Sequence, residues 1–149
     1  MERGKSRRES GVVSLEFLFI FPVIVGLIYG AAGYGVLFFN KYQMQVAVDR
    51  ATSSVFSLDR RQSTAFAQDA LNYSSSVLEA LSGELPALAA SRIAESSCST
   101  RSASGLELLE CTLVADGEES SFLPQLNFGF LGAFPPLPQN LTARSTIAF

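Results

Sequence analysis

The chain has 149 residues, about the length of one domain. Its net charge of −3 is unevenly distributed: residues 1–10 carry four basic and two acidic side chains, a net charge of +2, and the remainder carries a net charge of −5. This acidic remainder excludes a general nucleic-acid-binding function, because a phosphate backbone requires a basic face. The chain has no histidine, which excludes the ordinary Ser/His and Cys/His catalytic pairs, and we expect no enzymatic activity.

The N-terminal part combines a short basic leader, residues 1–11, with a long apolar run. Residues 17–39 carry no charge, and these 23 residues are close to the roughly 20 that a helix needs to cross a bilayer. Four basic residues precede the run and only Lys41 follows it closely, which predicts a cytoplasmic N-terminus. We therefore predict a transmembrane helix over residues 12–39, kinked or loosened at Pro22.

Apolar residues become periodic after the predicted membrane segment, which indicates an amphipathic helical stalk over residues 40–60. A helix from Val12 to about Leu58 would be roughly 70 Å long at 1.5 Å per residue. The predicted apolar positions are Tyr42, Val46, Val48, Ala51, Val55 and Leu58.

The remainder, residues 61–149, is predicted to form a small extracytoplasmic domain that begins with helices. Steps of three and four residues predict a helix that ends near Ser82-Gly83. Residues 85–93 are predicted as another short helix, followed by a polar loop around Cys98. The apolar positions of the longer helix are Phe66, Ala70, Tyr73, Val77 and Leu81.

The period then changes to two, which predicts strands. In LELLECTLVADG, residues 106–117, Leu109, Cys111 and Leu113 share one face and Asp116-Gly117 makes a turn. The segment LTARSTIAF, residues 141–149, alternates in the same way, and FGFLGAFPPLP between the two is predicted as an extended loop or an edge strand. The expected fold class is α+β, with the helices on the apolar face of a small antiparallel sheet.

Two cysteines, Cys98 and Cys111, fall in the part predicted to lie outside the cytoplasm. Their even number favours a disulfide that closes a short loop and stabilises the fold by about 3 kcal/mol; the alternative is two free thiols. A zinc site is disfavoured because two cysteines without histidine do not complete four ligands, and we expect no cofactor.

Three glycines in the predicted membrane segment, Gly26, Gly30 and Gly33, are spaced by four and three residues. This spacing places them on one smooth helical face, where another transmembrane helix could approach closely. The alternative is that the glycines reflect only the higher frequency of this residue in membrane helices.

Glu16 is an acidic residue at the start of the apolar segment, where a carboxylate costs about 2.5 to 3.5 kcal/mol on insertion scales. It could reach Arg7 and Arg8 at the headgroups. Alternatively, cleavage after Gly11 would leave a free amino group on Val12, one helical turn before the carboxylate.

The stretch RRESGVVSLEFLFIFPVIVG, residues 7–26, resembles the N-terminus of type IV pilin-like proteins: a basic leader, a glycine before the scissile bond, four mostly apolar residues, then a glutamate and an aromatic residue. The matching positions are Gly11, Val12, Glu16 and Phe17. With Pro22 and the stalk sequence MQVAVDRATSSV, the chain is most similar to the TadE/TadF-like pseudopilins of the tight-adherence (Flp pilus) system.

The resemblance implies a minor pilin or pseudopilin that helps assemble, prime or anchor a pilus of the Flp, type IVb class. A prepilin peptidase would cut between Gly11 and Val12, and Glu16 and Phe17 would serve assembly, the glutamate by pairing with a neighbouring amino terminus. The implied location is the inner membrane, with the C-terminal domain in the periplasm. The implied partners are the peptidase, other pilins or pseudopilins and the inner-membrane assembly machinery, in a hetero-oligomeric assembly.

Two other readings of the apolar segment remain. One is an uncleaved single-pass membrane subunit that presents a small sensor or binding domain. The other is a secreted protein whose signal peptide is cut near residues 30–32, where small residues flank the site. The apolar run is longer than a typical signal-peptide core and continues past Ala32 into GVLFF, which disfavours the second reading.

Overall fold

One helix, α1, runs from Ser10 to Ser53 and contributes both an exposed apolar rod and part of the protein core. The computed structural model describes residues 10–61, 64–103, 105–116, 124–127, 129 and 132–149, without the side chains of residues 10–14 and 88. Residues 1–9 of the predicted leader and the predicted turn residue Gly117 lie outside this part of the chain.

Helix α1 has the continuous form that its sequence predicts. It passes through Pro22 without interruption and is followed by a 3-10 turn, Ser54–Ser57. Leu58 is extended, so the helical region ends one residue before the predicted limit. A rise of 1.5 Å per residue gives α1 a length of about 66 Å.

The second half of α1 belongs to the core and is not a free-standing stalk. Met44, Val48 and Ala51, with Val55 in the following 3-10 turn, are buried at spacings of four, three and four residues, as expected for one face of a helix. Two of the predicted apolar positions were assigned to the wrong face: Tyr42 is 64% exposed and Val46 is half-buried. Met44 is buried instead, because it lies one turn before Val48. The buried stripe is Met44, Val48, Ala51 and Val55.

The second helix, α2, spans Phe66–Gly83 and confirms the predicted helix and its end. Ala70 is buried as predicted, and Phe66 and Val77 pack against the core. Tyr73 was assigned to the wrong face, because it is 41% exposed and the next residue, Ser74, is buried instead. The Ser74 hydroxyl lies 3.3 Å from that of Ser54, so this small polar side chain has a partner inside the helix interface. The short helix predicted for residues 85–93 is reduced to α3, Ala87–Ala90.

Three antiparallel strands form the main sheet. The central strand is β2, Leu106–Asp116, which pairs with β1, Ile93–Ala103, on one side and with β5, Asn140–Ala148, on the other. The prediction of a polar loop around Cys98 is wrong, because this segment is strand β1, Ile93–Ala103. Its serines and threonines are exposed and its apolar pattern is weak, so pairing with β2 along its length determines its conformation. The two predicted strands are confirmed as β2, Leu106–Asp116, and β5, Asn140–Ala148.

Two very short strands, β3 (Leu126–Asn127) and β4 (Ala133–Phe134), follow β2 and precede β5 in the sequence and form a separate two-stranded sheet. The sequence predicted an extended loop or an edge strand over residues 128–138, and Ala133–Phe134 is a short strand paired on one side only, outside the main sheet. Residues 128, 130 and 131 of this prediction lie outside the described part of the chain. The prolines that follow β4 have no N–H to donate to a neighbouring strand, which prevents this segment from extending the main sheet.

The helices cover one face of the main sheet, with α1 against β5 and β2 and α2 against β1. Alternate residues of β2 and β5 point into this layer, which confirms the α+β fold class. Polar contacts also join α1 to β5: Thr52 Oγ1 donates to Ser145 Oγ at 2.9 Å, and Gln45 Nε2 donates to the carbonyl oxygen of Arg144 at 3.0 Å. The buried strand residues are Leu109, Cys111, Leu113, Ala115, Leu141 and Ala143.

A disulfide between Cys98 and Cys111 joins β1 to β2, which confirms the predicted pairing. The two cysteines are directly opposite each other in the strand register, and Cys111 is completely buried. The bond therefore fixes the edge strand, whose own side chains bury little apolar surface, to the central strand.

Removing the disulfide should destabilise the domain. The double variant Cys98→Ala/Cys111→Ala should lower the free energy of unfolding by about 3 kcal/mol, because the short loop is no longer closed in the unfolded chain. Urea unfolding of the full chain in detergent micelles, followed by circular dichroism, measures this change.

A matched control is Ser97→Ala/Thr112→Ala, which truncates the neighbouring opposed pair on the same two strands. This control should stay within about 0.5 kcal/mol of the parent protein. Equal stability of the cysteine variant and the oxidised parent would contradict the stabilising role of the bond.

Candidate membrane-spanning and assembly segment

The first part of α1 is an apolar rod with almost no protein around it. Among the described residues, one helix is long and apolar enough to cross a membrane, and only 6% of its most apolar 18-residue stretch is buried. A helix that is apolar on all sides and uncovered by protein is typical of a lipid-exposed segment. Its exposed large side chains include Leu15, Phe17, Leu18, Phe19, Ile20, Phe21, Val23, Ile24, Val25, Leu27 and Ile28.

The predicted cleavage and assembly residues lie at the beginning of this rod. Gly11 and Val12 are within the first turn of α1, in helical backbone. Glu16 and Phe17 have exposed side chains, and the Phe17 ring lies 5.5 Å from that of Phe21. The carboxylate of Glu16 is therefore accessible to a group on a neighbouring chain. Arg7 and Arg8, the alternative partners, lie outside the described residues.

The three glycines of the predicted packing face have different surroundings. A Cβ added at Gly26 would meet nothing within 4 Å, so this position is open to a neighbour. Gly30 is buried, and a Cβ there would lie 3.1 Å from Cζ of Phe134 in the same chain. Gly33 is half-buried beside Pro124 and Pro135. Close approach of another transmembrane helix stays a prediction, and at Gly30 the structure places an intramolecular neighbour.

Two tyrosines beside these glycines attach the β3–β4 region to α1; this region comprises the described residues 124–127, 129 and 132–138. Tyr29 donates its hydroxyl to the carbonyl oxygen of Pro124, and Tyr34 donates to that of Pro136 at 2.9 Å. These partners are 95 and 102 residues apart along the chain, so sequence periodicity could not reveal them. The available signal was the run of four small residues, 30–33, flanked by two tyrosines on an otherwise apolar helix.

A metal centre is not found among the described residues. Among them, no group of three or more His, Cys, Asp or Glu side chains could hold a metal ion. The ion pair between Arg144 Nε and Glu110 Oε1, at 3.1 Å, joins neighbouring strands β5 and β2 and has a partly exposed carboxylate and a largely exposed guanidinium group. The exposed apolar surface of α1, in contrast, is suited to insertion into a membrane and to lateral packing.

These features define a protein with one helix capable of spanning a membrane and a small disulfide-linked α+β domain built on the end of that helix. A comparison with protein families finds that residues 11–52 match the model of the TadE-like protein family. The matched region confirms the resemblance noted above and fits a membrane protein associated with a Tad pilus. A search of curated proteins finds no match to the chain, and a search of solved structures finds none.

A bulky residue at Gly30 should displace the β3–β4 region. Gly30→Leu places a side chain where the Phe134 ring lies, whereas Gly26→Leu, the matched control, adds the same apolar volume to an open position. Hydrogen exchange of peptides covering residues 124–138, measured by mass spectrometry on the full chain in nanodiscs, should be faster in Gly30→Leu only. The same exchange rates in both variants would contradict the contact between Gly30 and Phe134.

Proposed function

We propose that this protein is a minor pilin or pseudopilin of a tight-adherence (Flp, type IVb) pilus system. A prepilin peptidase removes residues 1–11, and the mature chain acts in pilus assembly, priming or anchoring. In this proposal α1 lies in the inner membrane with its start on the cytoplasmic side, and the disulfide-linked domain lies in the periplasm. Its partners are other pilins or pseudopilins and the inner-membrane assembly machinery.

The observation that carries the proposal is the position of the family match. The match begins at Gly11, the glycine expected before the scissile bond, and ends at Thr52, one residue before the end of α1. The similarity therefore covers the structural unit that a pilin-like protein uses for processing and membrane insertion.

The role of Glu16 in assembly is supported by its exposure and by the cost of a carboxylate in an apolar segment. Insertion scales assign about 2.5 to 3.5 kcal/mol to such a residue at the centre of a membrane helix, so a charged partner would stabilise it considerably. After cleavage, the amino group of Val12 on a neighbouring chain supplies this partner and sets the axial register between two α1 helices.

An uncleaved single-pass subunit with a small binding domain is the alternative function. It uses the same membrane helix but assigns no role to Gly11 or Glu16. The length of the mature chain separates the two possibilities, because only the pilin-type function removes the leader.

Cleavage should depend on Gly11. Mass spectrometry and N-terminal sequencing of the protein from membranes of its native host should give a chain that starts at Val12. Gly11→Leu should accumulate at full length, because a side chain next to the scissile bond obstructs the peptidase site, and Gly4→Leu should be processed normally. A parent protein that retains Met1 in a host with an active prepilin peptidase would favour the uncleaved subunit.

Glu16→Gln should separate processing from assembly. This variant keeps the size of the side chain but removes its charge, so it should be cut after Gly11 and then be incorporated poorly into the pilus assembly. Co-purification with other pilus components from solubilised membranes measures incorporation, and Glu110→Gln in the domain is the control for loss of a carboxylate. Normal co-purification of Glu16→Gln would contradict the assembly role.

A further inference from the structure

Several backbone carbonyl groups of the β3–β4 region are bonded to side chains. Three carbonyl oxygens of its prolines accept hydrogen bonds from side chains: that of Pro124 from Tyr29, that of Pro136 from Tyr34, and that of Pro135 from Gln125 Nε2 at 2.7 Å. The prolines themselves have no N–H to satisfy. These bonds lower the cost of moving this irregular backbone out of water.

A small apolar groove lies between this region and α1. It has a volume of about 160 Å³, and one edge is α1 while the other is the proline segment. The residues that line it are Tyr29, Ala32, Gly33, Val36, Pro124 and Pro135. Beside it, Leu126 on β3 is 51% exposed although it is a large apolar side chain.

The groove is at membrane depth if α1 spans a bilayer. The uncharged stretch between Glu16 and Lys41, residues 17–40, is about 36 Å long, only slightly more than the roughly 30 Å of hydrocarbon. Keeping both charges out of the hydrocarbon places residues 29–34 between the middle of the bilayer and the boundary on the domain side. If Glu16 lies within the hydrocarbon instead, α1 is shifted toward the domain side, and residues 29–34 lie at the hydrocarbon boundary on that side. Every placement brings the β3–β4 region into contact with lipid.

The charge distribution of the segment agrees with this depth. From Ser120 to Ala143 the sequence has no charged residue, although the domain as a whole is acidic. Lys41 and the exposed Tyr42 follow one to two turns of α1 beyond the groove, where a lysine and a tyrosine are typical of the membrane–water interface.

We propose that the β3–β4 region is a second membrane-contacting element, embedded in the bilayer leaflet on the domain side, and that its groove on α1 holds a phospholipid acyl chain. The inference rests on the proposed membrane location of α1. Lipid is the occupant because the groove is continuous with the lipid-exposed surface of α1 and the nearby carbonyls are already paired within the chain. The domain is then seated in the membrane surface, with α1 and the β3–β4 region as two points of attachment.

Depth-dependent fluorescence quenching tests the proposal, and the parent chain contains no tryptophan to interfere. Leu126→Trp and Ala133→Trp place a reporter at exposed positions on β3 and β4. Phe19→Trp reports on the membrane helix, and Tyr73→Trp on the exposed side of α2. Each full-length variant is reconstituted in vesicles of phosphatidylcholine and phosphatidylglycerol, with or without bromine on the acyl chains.

We expect blue-shifted emission and strong quenching by brominated lipid for Leu126→Trp, Ala133→Trp and Phe19→Trp, and neither effect for Tyr73→Trp. Two reporters are used so that a fold disrupted by one substitution does not decide the result.

Three outcomes would overturn the proposal, and they differ in what they leave standing. Quenching of Phe19→Trp with water-like, unquenched emission from both β3–β4 reporters would leave a membrane helix without the second contact. Blue-shifted but unquenched emission from these reporters would mean that a protein partner covers the groove. Unquenched emission from Phe19→Trp as well would overturn the membrane location of α1, and with it the proposed function.

Discussion

The structure depends on one helix that must satisfy two different environments. Over residues 17–28 the side chains of α1 are apolar in every direction, and over residues 44–55 only one face is buried by the sheet and by α2. Because the backbone is helical without a break, the membrane segment and the core of the domain are parts of a single rigid element. The orientation of the sheet relative to the rod is therefore determined by which face of α1 carries Met44, Val48 and Ala51.

The stretch between these two halves, residues 29–37, is where the chain changes environment. Here α1 is neither fully exposed nor packed on the main sheet, and the β3–β4 region contacts it through two tyrosine hydroxyls and the side of Phe134. Small side chains at Gly30, Ala32 and Gly33 leave room for the prolines. The composition of this stretch suits an intramolecular contact as well as it suits packing between membrane helices.

Regular periodicity made much of the fold predictable from the sequence. The second half of α1, α2, β2 and β5 each bury one side against the same core, and that arrangement imposes a pattern on the residues. The first half of α1 was predictable from its uninterrupted apolar composition instead. The disulfide was predictable because the chain has two cysteines and a segment long enough to place them outside the cytoplasm. The family match extends over α1 only, so for the domain the residue pattern was the only guide.

The features that were not predicted are those set by distant neighbours. Strand β1 has few apolar residues and takes its form from β2. Tyr42 and Tyr73 are large and apolar enough to suggest burial, although they are 64% and 41% exposed. The attachment of the β3–β4 region to α1 depends on two hydrogen bonds, whose partners are separated by 95 and 102 positions along the chain. A local pattern contains no information about such pairs.

The sheet order has a consequence for how the protein is made. Helix α1 is synthesised first, yet its buried face is covered largely by β5, about 90 residues later, and β5 pairs only with β2 within the main sheet. The β1–β2 hairpin and its disulfide can form earlier, because their contacts are local. The part of the α1 face that β5 covers therefore stays exposed until residues 140–148 have been synthesised, and we expect this contact of long sequence separation to form slowly.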